Sequence, residues 1–197
     1  MVCECSGREN SLYRKDKQKP KIMMNRRDFL LTAMLSAAGS CFAGQDRYAD
    51  FYKGERTIFL SRDGRTIKRT FFTNSGLDRN AYEDVCYFLC DKHEGVAVEM
   101  DIELLSGVSF IQKFLLQNGI NRPLIANSGY RTPKTNANTE GAVRNSYHTR
   151  GSAIDGFIPS IDNYTLAAIA ERVGFGGIGL YKTFVHLDTG GFRRWSA

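Results

Sequence analysis

Residues 146–155 read SYHTRGSAID and residues 184–190 read FVHLDTG. Between them they hold two of the chain's three histidines, His148 and His186; the third is His93. Side chains alternate faces along a strand, with residues two apart on the same side. In FVHLDTG, Phe184, His186 and Asp188 therefore share one face, and Val185 and Leu187 form the apolar, core-facing pair. His186 and Asp188 then point together into a cleft, about 7 Å apart at Cα. The same parity puts Ala153, Asp155 and Phe157 on one face of SAIDGFI, and the small Ala153 leaves room for a group to approach Asp155. Two imidazoles and a carboxylate, with a second carboxylate nearby, form a donor set that suits a catalytic zinc. Such an ion takes three protein ligands and keeps one position for water, whose pKa it lowers to about 7. His148, Asp155 and His186 are the candidate ligands. Asp188 is the candidate general base, and Arg131 the group that steadies a substrate carboxylate or developing oxyanion.

Working outward, TIFLSRDGRTIKRTFF (57–72) contains two alternating runs around Asp63-Gly64, a hairpin signal. Val85, Phe88 and Leu89 mark a helix over 80–91. Leu104, Val108, Ile111 and Leu115 mark another over 101–118, with Asp101 at its start and Gly119 at its stop. PLIAN (123–127) reads as a short strand leading into SGYRTP, and 132–150 as a long polar loop. SAIDGFI (152–158) reads as a strand, 163–173 as a helix ended by Gly174, and 175–190 as two short strands joined by a turn. Helices first and strands clustered late predict an α+β fold: a small antiparallel sheet carries the zinc site and packs against helices.

The first 43 residues have a different character. Arg26-Arg27 precede an uncharged run, FLLTAMLSAAGSCFA (29–43), which ends in small residues. A basic segment, a short apolar run and a small-residue exit form an export signal, here twin-arginine-like. The expected division is 1–43 as a removable signal region and 44–197 as a single domain, exported to the periplasm. Cys41, after Ala38-Gly39-Ser40, offers a weaker lipid-anchor alternative, and the apolar run falls short of a membrane span. Residues 1–27 carry eight Lys/Arg against three Asp/Glu, and the part after residue 44 carries 19 against 17. The mature net charge is thus about +2, which gives no electrostatic footprint for nucleic acid. Cys86 and Cys90, the cysteines of the mature part, read as small buried apolar side chains. Lys134, Arg144, Arg193 and Arg194 read as solvated surface residues. The mature part is expected to be a monomer.

The pattern Ser146-x-His148-x-x-Gly151-x-Ala153-x-Asp155, preceded by SGYRTP and followed by His186-x-Asp188, resembles the zinc D-Ala-D-Ala-type peptidases. That superfamily is shared with lysostaphin and the Hedgehog signalling domain. SGYRTPKTN, GGIGLY and FVHLDTGGFRRW narrow the resemblance to the murein endopeptidase K group and extend it from about residue 57 to Trp195. The resemblance implies that His148, Asp155 and His186 bind Zn2+. It also implies that Arg131 contacts substrate or transition state, and that Tyr130 and Ser146 bind substrate. The implied substrate is the peptide cross-link of peptidoglycan. One departure concerns the base. Several relatives carry a Glu or His two or three residues before the last ligand, where this chain has Phe184 and Thr183. Asp188 stands in by geometry.

Other readings use the same residues. A non-haem iron oxygenase could be assembled from His186-x-Asp188 and a distant histidine, but the order is reversed and Asp155 is left without a role. A wall-peptide-binding module that does not cut, or a D,D-carboxypeptidase on wall peptides, would keep the fold and change the outcome.

Overall fold

A computed structural model describes residues 3–4 and 54–197. The expectations for the export signal and for Cys41 fall on residues outside this set. The described strands are β1 (Cys3–Glu4), β2 (Arg56–Arg62), β3 (Arg65–Thr73), β4 (Gly76–Leu77), β5 (Val96–Ala97), β6 (Leu124–Ser128), β7 (Ala153–Phe157), β8 (Gly177–Leu180), β9 (Val185–Asp188) and β10 (Arg193–Ser196). The helices are α1 (Arg79–Phe88), α2 (Ile102–Gln117), α3 (Pro133–Ala137) and α4 (Asn163–Val173), with a 3-10 turn at Tyr147–Arg150.

The class is α+β as expected, but the sheet is neither small nor purely antiparallel. Eight strands run in the order β10-β8-β9-β7-β6-β2-β3-β4, with β2–β6 and β8–β10 parallel. Two features enlarge it beyond the expectation. The β2–β3 hairpin joins the sheet through β6 instead of standing apart. The chain after Gly191 forms β10, where the sequence showed only surface arginines. β1 and β5 form a separate two-stranded ladder.

Local chemistry sets the element boundaries. Asp63 and Gly64 take positive φ (49° and 77°), as a two-residue hairpin turn with the right-handed strand twist requires. Asp78, Asp101, Thr132 and Asp162 cap α1, α2, α3 and α4, each accepting from a first-turn amide. Gly174 ends α4 at φ 101°. The long loop expected over 132–150 is partly ordered, because Thr132 followed by Pro133 starts a short helix and Ser146 caps the 3-10 turn.

The helices α1, α2 and α4 pack against strands β2, β3, β8 and β9. Ile58, Leu60, Leu104, Val108, Ile111, Leu124, Val185 and Leu187 fill the space between and are essentially solvent-free. With Val185 and Leu187 turned to that core, period-2 alternation turns His186 and Asp188 to the opposite face of the sheet.

Candidate metal centre

Two rows of residues cross the sheet and build the site. In the first, Ser128 of β6 pairs with Asp155 of β7, Asp155 with His186 of β9, His186 with Gly179 of β8, and Gly179 with Trp195 of β10. In the second, two residues along, Ala153 pairs with Asp188, Asp188 with Gly177, and Gly177 with Arg193. His148 comes from outside the sheet, on the 3-10 turn that Ser146 caps by accepting from the His148 amide (3.3 Å).

The candidate ligand atoms of His148, Asp155 and His186 lie within 4.8 Å of one another. The nearest set is tighter: His148 Nε2 is 3.2 Å from His186 Nδ1 and 3.2 Å from Asp155 Oδ1, and His186 Nδ1 is 2.7 Å from Asp155 Oδ1. The outer nitrogens fix the tautomers. His148 Nδ1 faces the Gly129 carbonyl at 2.7 Å, and a carbonyl only accepts, so Nδ1 carries the proton and Nε2 a lone pair. His186 Nε2 faces Asp188 Oδ2 at 2.9 Å and donates to it, which leaves the Nδ1 lone pair turned inward. With neutral imidazoles, three acceptors converge on one point with no proton among them. Electrostatics tolerates that only if a cation, either a proton or a metal, sits there. Tetrahedral ligands about 2.0–2.1 Å from a zinc stand about 3.3 Å apart, close to the spacing of this triangle. An imidazole whose far N–H is held by a carbonyl or a carboxylate is also the usual orienting arrangement for a metal ligand. The donor set therefore fits a zinc ion.

The charges are tuned accordingly. Burial alone would lift the Asp155 carboxyl, but the hydrogen bonds and charges of His148 and His186 outweigh it and hold the group well below the ordinary carboxylate range. Burial works against the His186 imidazolium, yet hydrogen bonds to Asp155 and Asp188 push its pKa above the usual histidine value. The metal-free cluster thus favours positive charge at His186.

The remaining predicted residues take positions of their own. Arg131 pairs through its guanidinium with Asp155 Oδ2, and its Nε donates to Ser128 Oγ at 2.7 Å. It thus touches the ligand carboxylate itself, and its side chain is only 16% exposed. Tyr130 is buried, and that burial raises its hydroxyl pKa. Ser146 is buried as the cap of the His148 turn.

Asp188 departs from the expectation of a cleft-facing base, because the residue is fully buried. One of its oxygens receives His186 Nε2 and Arg193 Nη2 (2.6 Å), and the other accepts the Gly190 amide at 2.7 Å. Burial would raise its pKa, but these partners outweigh it and keep the carboxylate ionised. Phe184, one of the two positions before His186 where the sequence offers no base, stacks on Tyr181 with ring centroids 4.4 Å apart.

Sequence reasoning passed over three parts of the site: the Gly129 carbonyl, the Arg193 guanidinium and the glycines of GGIG. A methyl group at Gly177 would overlap the Asp188 carboxylate and come 2.6 Å from Arg193, and one at Gly179 would lie 2.5 Å from the Trp195 ring. The clustered glycines and the FRRW ending were visible as motifs, but only the β8–β10 pairing shows that one makes room for the other.

The Ser-x-His turn, strand aspartate and His-x-Asp strand of this α+β fold agree with the D-Ala-D-Ala-type peptidase class, which the family match supports. Residues 54–195 match the family model described as peptidoglycan L,D-endopeptidase MepK. The peptidoglycan L,D-endopeptidase MepK of Escherichia coli (strain K12) is 34% identical over 140 residues, covering 67% of this chain and 74% of that protein. The probable peptidoglycan L,D-endopeptidase MepK of Haemophilus influenzae is 31% identical over 138 residues, covering 67% and 73%. The chain belongs to the MepK peptidoglycan L,D-endopeptidase family.

Proposed function

We propose that this protein is a zinc-dependent murein endopeptidase that hydrolyses peptide cross-links of the bacterial cell wall, with the L,D-endopeptidase action named for its relatives. The observation that carries the metal reading is the triangle of His148 Nε2, Asp155 Oδ1 and His186 Nδ1. The two imidazole lone pairs are turned inward by hydrogen bonds made on the outside of the rings, and the far oxygen of Asp155 is held by Arg131. A zinc ion held there would supply the Lewis acidity that makes water nucleophilic near neutral pH.

The chain's own residues do the rest. Gly129 and Asp188 hold the two imidazoles in their tautomers. Arg131 fixes the second oxygen of Asp155, so only Oδ1 is offered to the metal, and its guanidinium brings positive charge beside the place where an oxyanion would develop. Buried and fully engaged, Asp188 serves as the group that orients His186, which takes the place of the base role its sequence position suggested. Arg131 beside the triangle, Tyr130 next to it in sequence and Ser146 at the cap of the His148 turn are the residues proposed to meet the substrate.

The same proposal takes residues 1–43 as a removable segment and 44–197 as the enzyme domain; the family match covers residues 54–195. Periplasmic location follows from the same proposal, since wall cross-links lie outside the cytoplasm. Among the described residues no helix is long and apolar enough to cross a membrane.

The test is mass spectrometry of muropeptides after digestion of defined murein, with zinc and with a chelator. Zinc-dependent loss of cross-linked dimers is expected. Release of terminal D-alanine alone would show a D,D-carboxypeptidase instead. Binding to sacculi without any hydrolysis would show a wall-binding module.

A further inference from the structure

Arg193 reads in sequence as one of two surface arginines ahead of a tryptophan, yet its surroundings are built for it. Its Nη2 donates to Asp188 Oδ2 at 2.6 Å, and its Nη1 donates to the Gly191 carbonyl at 2.9 Å. Its guanidinium lies 4.8 Å from the centre of the Tyr147 ring and 5.9 Å from that of Trp195. Two glycines keep the space clear. A side chain at Gly177 would strike both Asp188 and Arg193, and one at Gly190 would strike the Tyr147 ring and come 2.8 Å from Arg193 Nη1. The contacts on either side matter most. Tyr147 is the neighbour in sequence of His148, and Asp188 is the hydrogen-bond acceptor of His186. One guanidinium therefore touches both segments that deliver imidazoles to the triangle.

We infer that Arg193 is a positioning residue for the metal centre: it braces the Asp188 carboxylate and the Tyr147 ring together, so that His186 and His148 are held at metal-ligand spacing before any ion arrives. This rests on the metal reading proposed above. A fork with fixed N–H directions and a planar face is what the double task needs, since one edge must meet a carboxylate while the face meets a ring. Lysine has the charge but not the shape. The Asp188 carboxylate, with no solvent contact, also needs positive charge beside it, and Arg193 supplies a permanent one at the oxygen that accepts from His186.

The test uses the full chain and measures Zn2+ affinity by competition with a chromophoric chelator for Arg193→Ala, Arg193→Lys and native protein. Arg172→Ala, an exposed position on α4, serves as the charge-matched control. Loss of an orienting group around a metal ligand typically weakens metal binding by about 10–100-fold. That loss is expected for Arg193→Ala, a smaller one for Arg193→Lys, and none for Arg172→Ala. Imidazole NMR of the zinc-loaded Arg193→Lys protein gives a second readout, with faster solvent exchange of the His186 Nε2 proton expected. If Arg193→Ala does not fold, Arg193→Lys decides. Affinity and proton exchange of Arg193→Lys both matching native would overturn the inference. Failure of the native protein to bind Zn2+ would remove the metal reading along with it, whereas native binding with unaffected variants removes this inference alone.

Discussion

At the scale of single residues, the proposed metal would compete with a proton for one atom. His186 Nδ1 faces Asp155 at 2.7 Å, and its pKa is raised once hydrogen bonds to Asp155 and Asp188 overcome burial. A raised histidine pKa means that folding takes up a proton. The stability this contributes is fully present below the ordinary value of about 6.5 and is lost as pH rises through the folded value. The lowered Asp155 works in the opposite sense: its contribution is present above the ordinary value of about 3.9 and is lost as pH falls through the folded one. The metal-free cluster is thus most favourable between the two, and on the proposed metal reading zinc would have to displace a proton wherever His186 carries one. The rise in melting temperature produced by zinc should therefore be larger at pH 8 than at pH 6. Where His186 is protonated, the stabilisation shrinks by up to about 1.4 kcal/mol per pH unit. Calorimetry with zinc and with chelator at the two pH values measures it, and equal shifts at both would contradict the assignment of Nδ1 as the ligand atom.

At the scale of elements, β8 acts through the side chains it lacks. Gly177 and Gly179 lie between the site residues of β9 and the bulky side chains of β10, which reach across them. Gly177→Ala should cost about 1–3 kcal/mol, as overpacking in a filled region does, and should also loosen the Asp188–Arg193 pair. Gly191→Ala, where an added methyl meets nothing within 4 Å, should stay within about 0.5 kcal/mol of native. Urea denaturation of both variants measures the difference, and comparable losses would show that β8 yields to a methyl group without strain. Asp91 performs a similar service for a loop. Its carboxylate accepts the His93 amide at 2.9 Å and the Thr132 amide at 2.7 Å, tying the turn after α1 to the segment that follows Arg131.

Across the whole molecule, the sheet has two edges, β10 and β4. β4 covers only Phe72 and Thr73 of β3, the rest of that edge carries Arg65, Lys68 and Arg69, and β10 carries Arg193 and Arg194, so neither side offers a long apolar edge for another chain. Sedimentation velocity of the zinc-loaded protein should show a monomer across the micromolar range, and a concentration-dependent dimer would count against it. How much of this plan was legible beforehand follows from the range of each signal. The Asp63-Gly64 hairpin, the capped helices and the parity that put His186 and Asp188 on one face are local, and local chemistry announces them. The joining of the hairpin to β6, the parallel docking of β10 and the burial of Asp188 depend on pairings between distant segments. No periodicity within a window reports such pairings. Asp188 shows the limit well: parity gave the correct face of β9, but the burial of its carboxylate comes with Arg193 of β10 and the Gly190 amide, which parity along β9 does not report.

The glycines of β8 have one more consequence, which concerns misassembly. A strand that slips by one residue exchanges its two faces. In β8 such a slip would set Ile178 opposite His186, under the Trp195 ring, where the native pairing leaves only hydrogen atoms. The misaligned sheet would then have to expel the indole or the imidazole. Absent side chains thus work as a proofreading device, since only the arrangement that closes the sheet without collision also leaves the two histidines facing the same point.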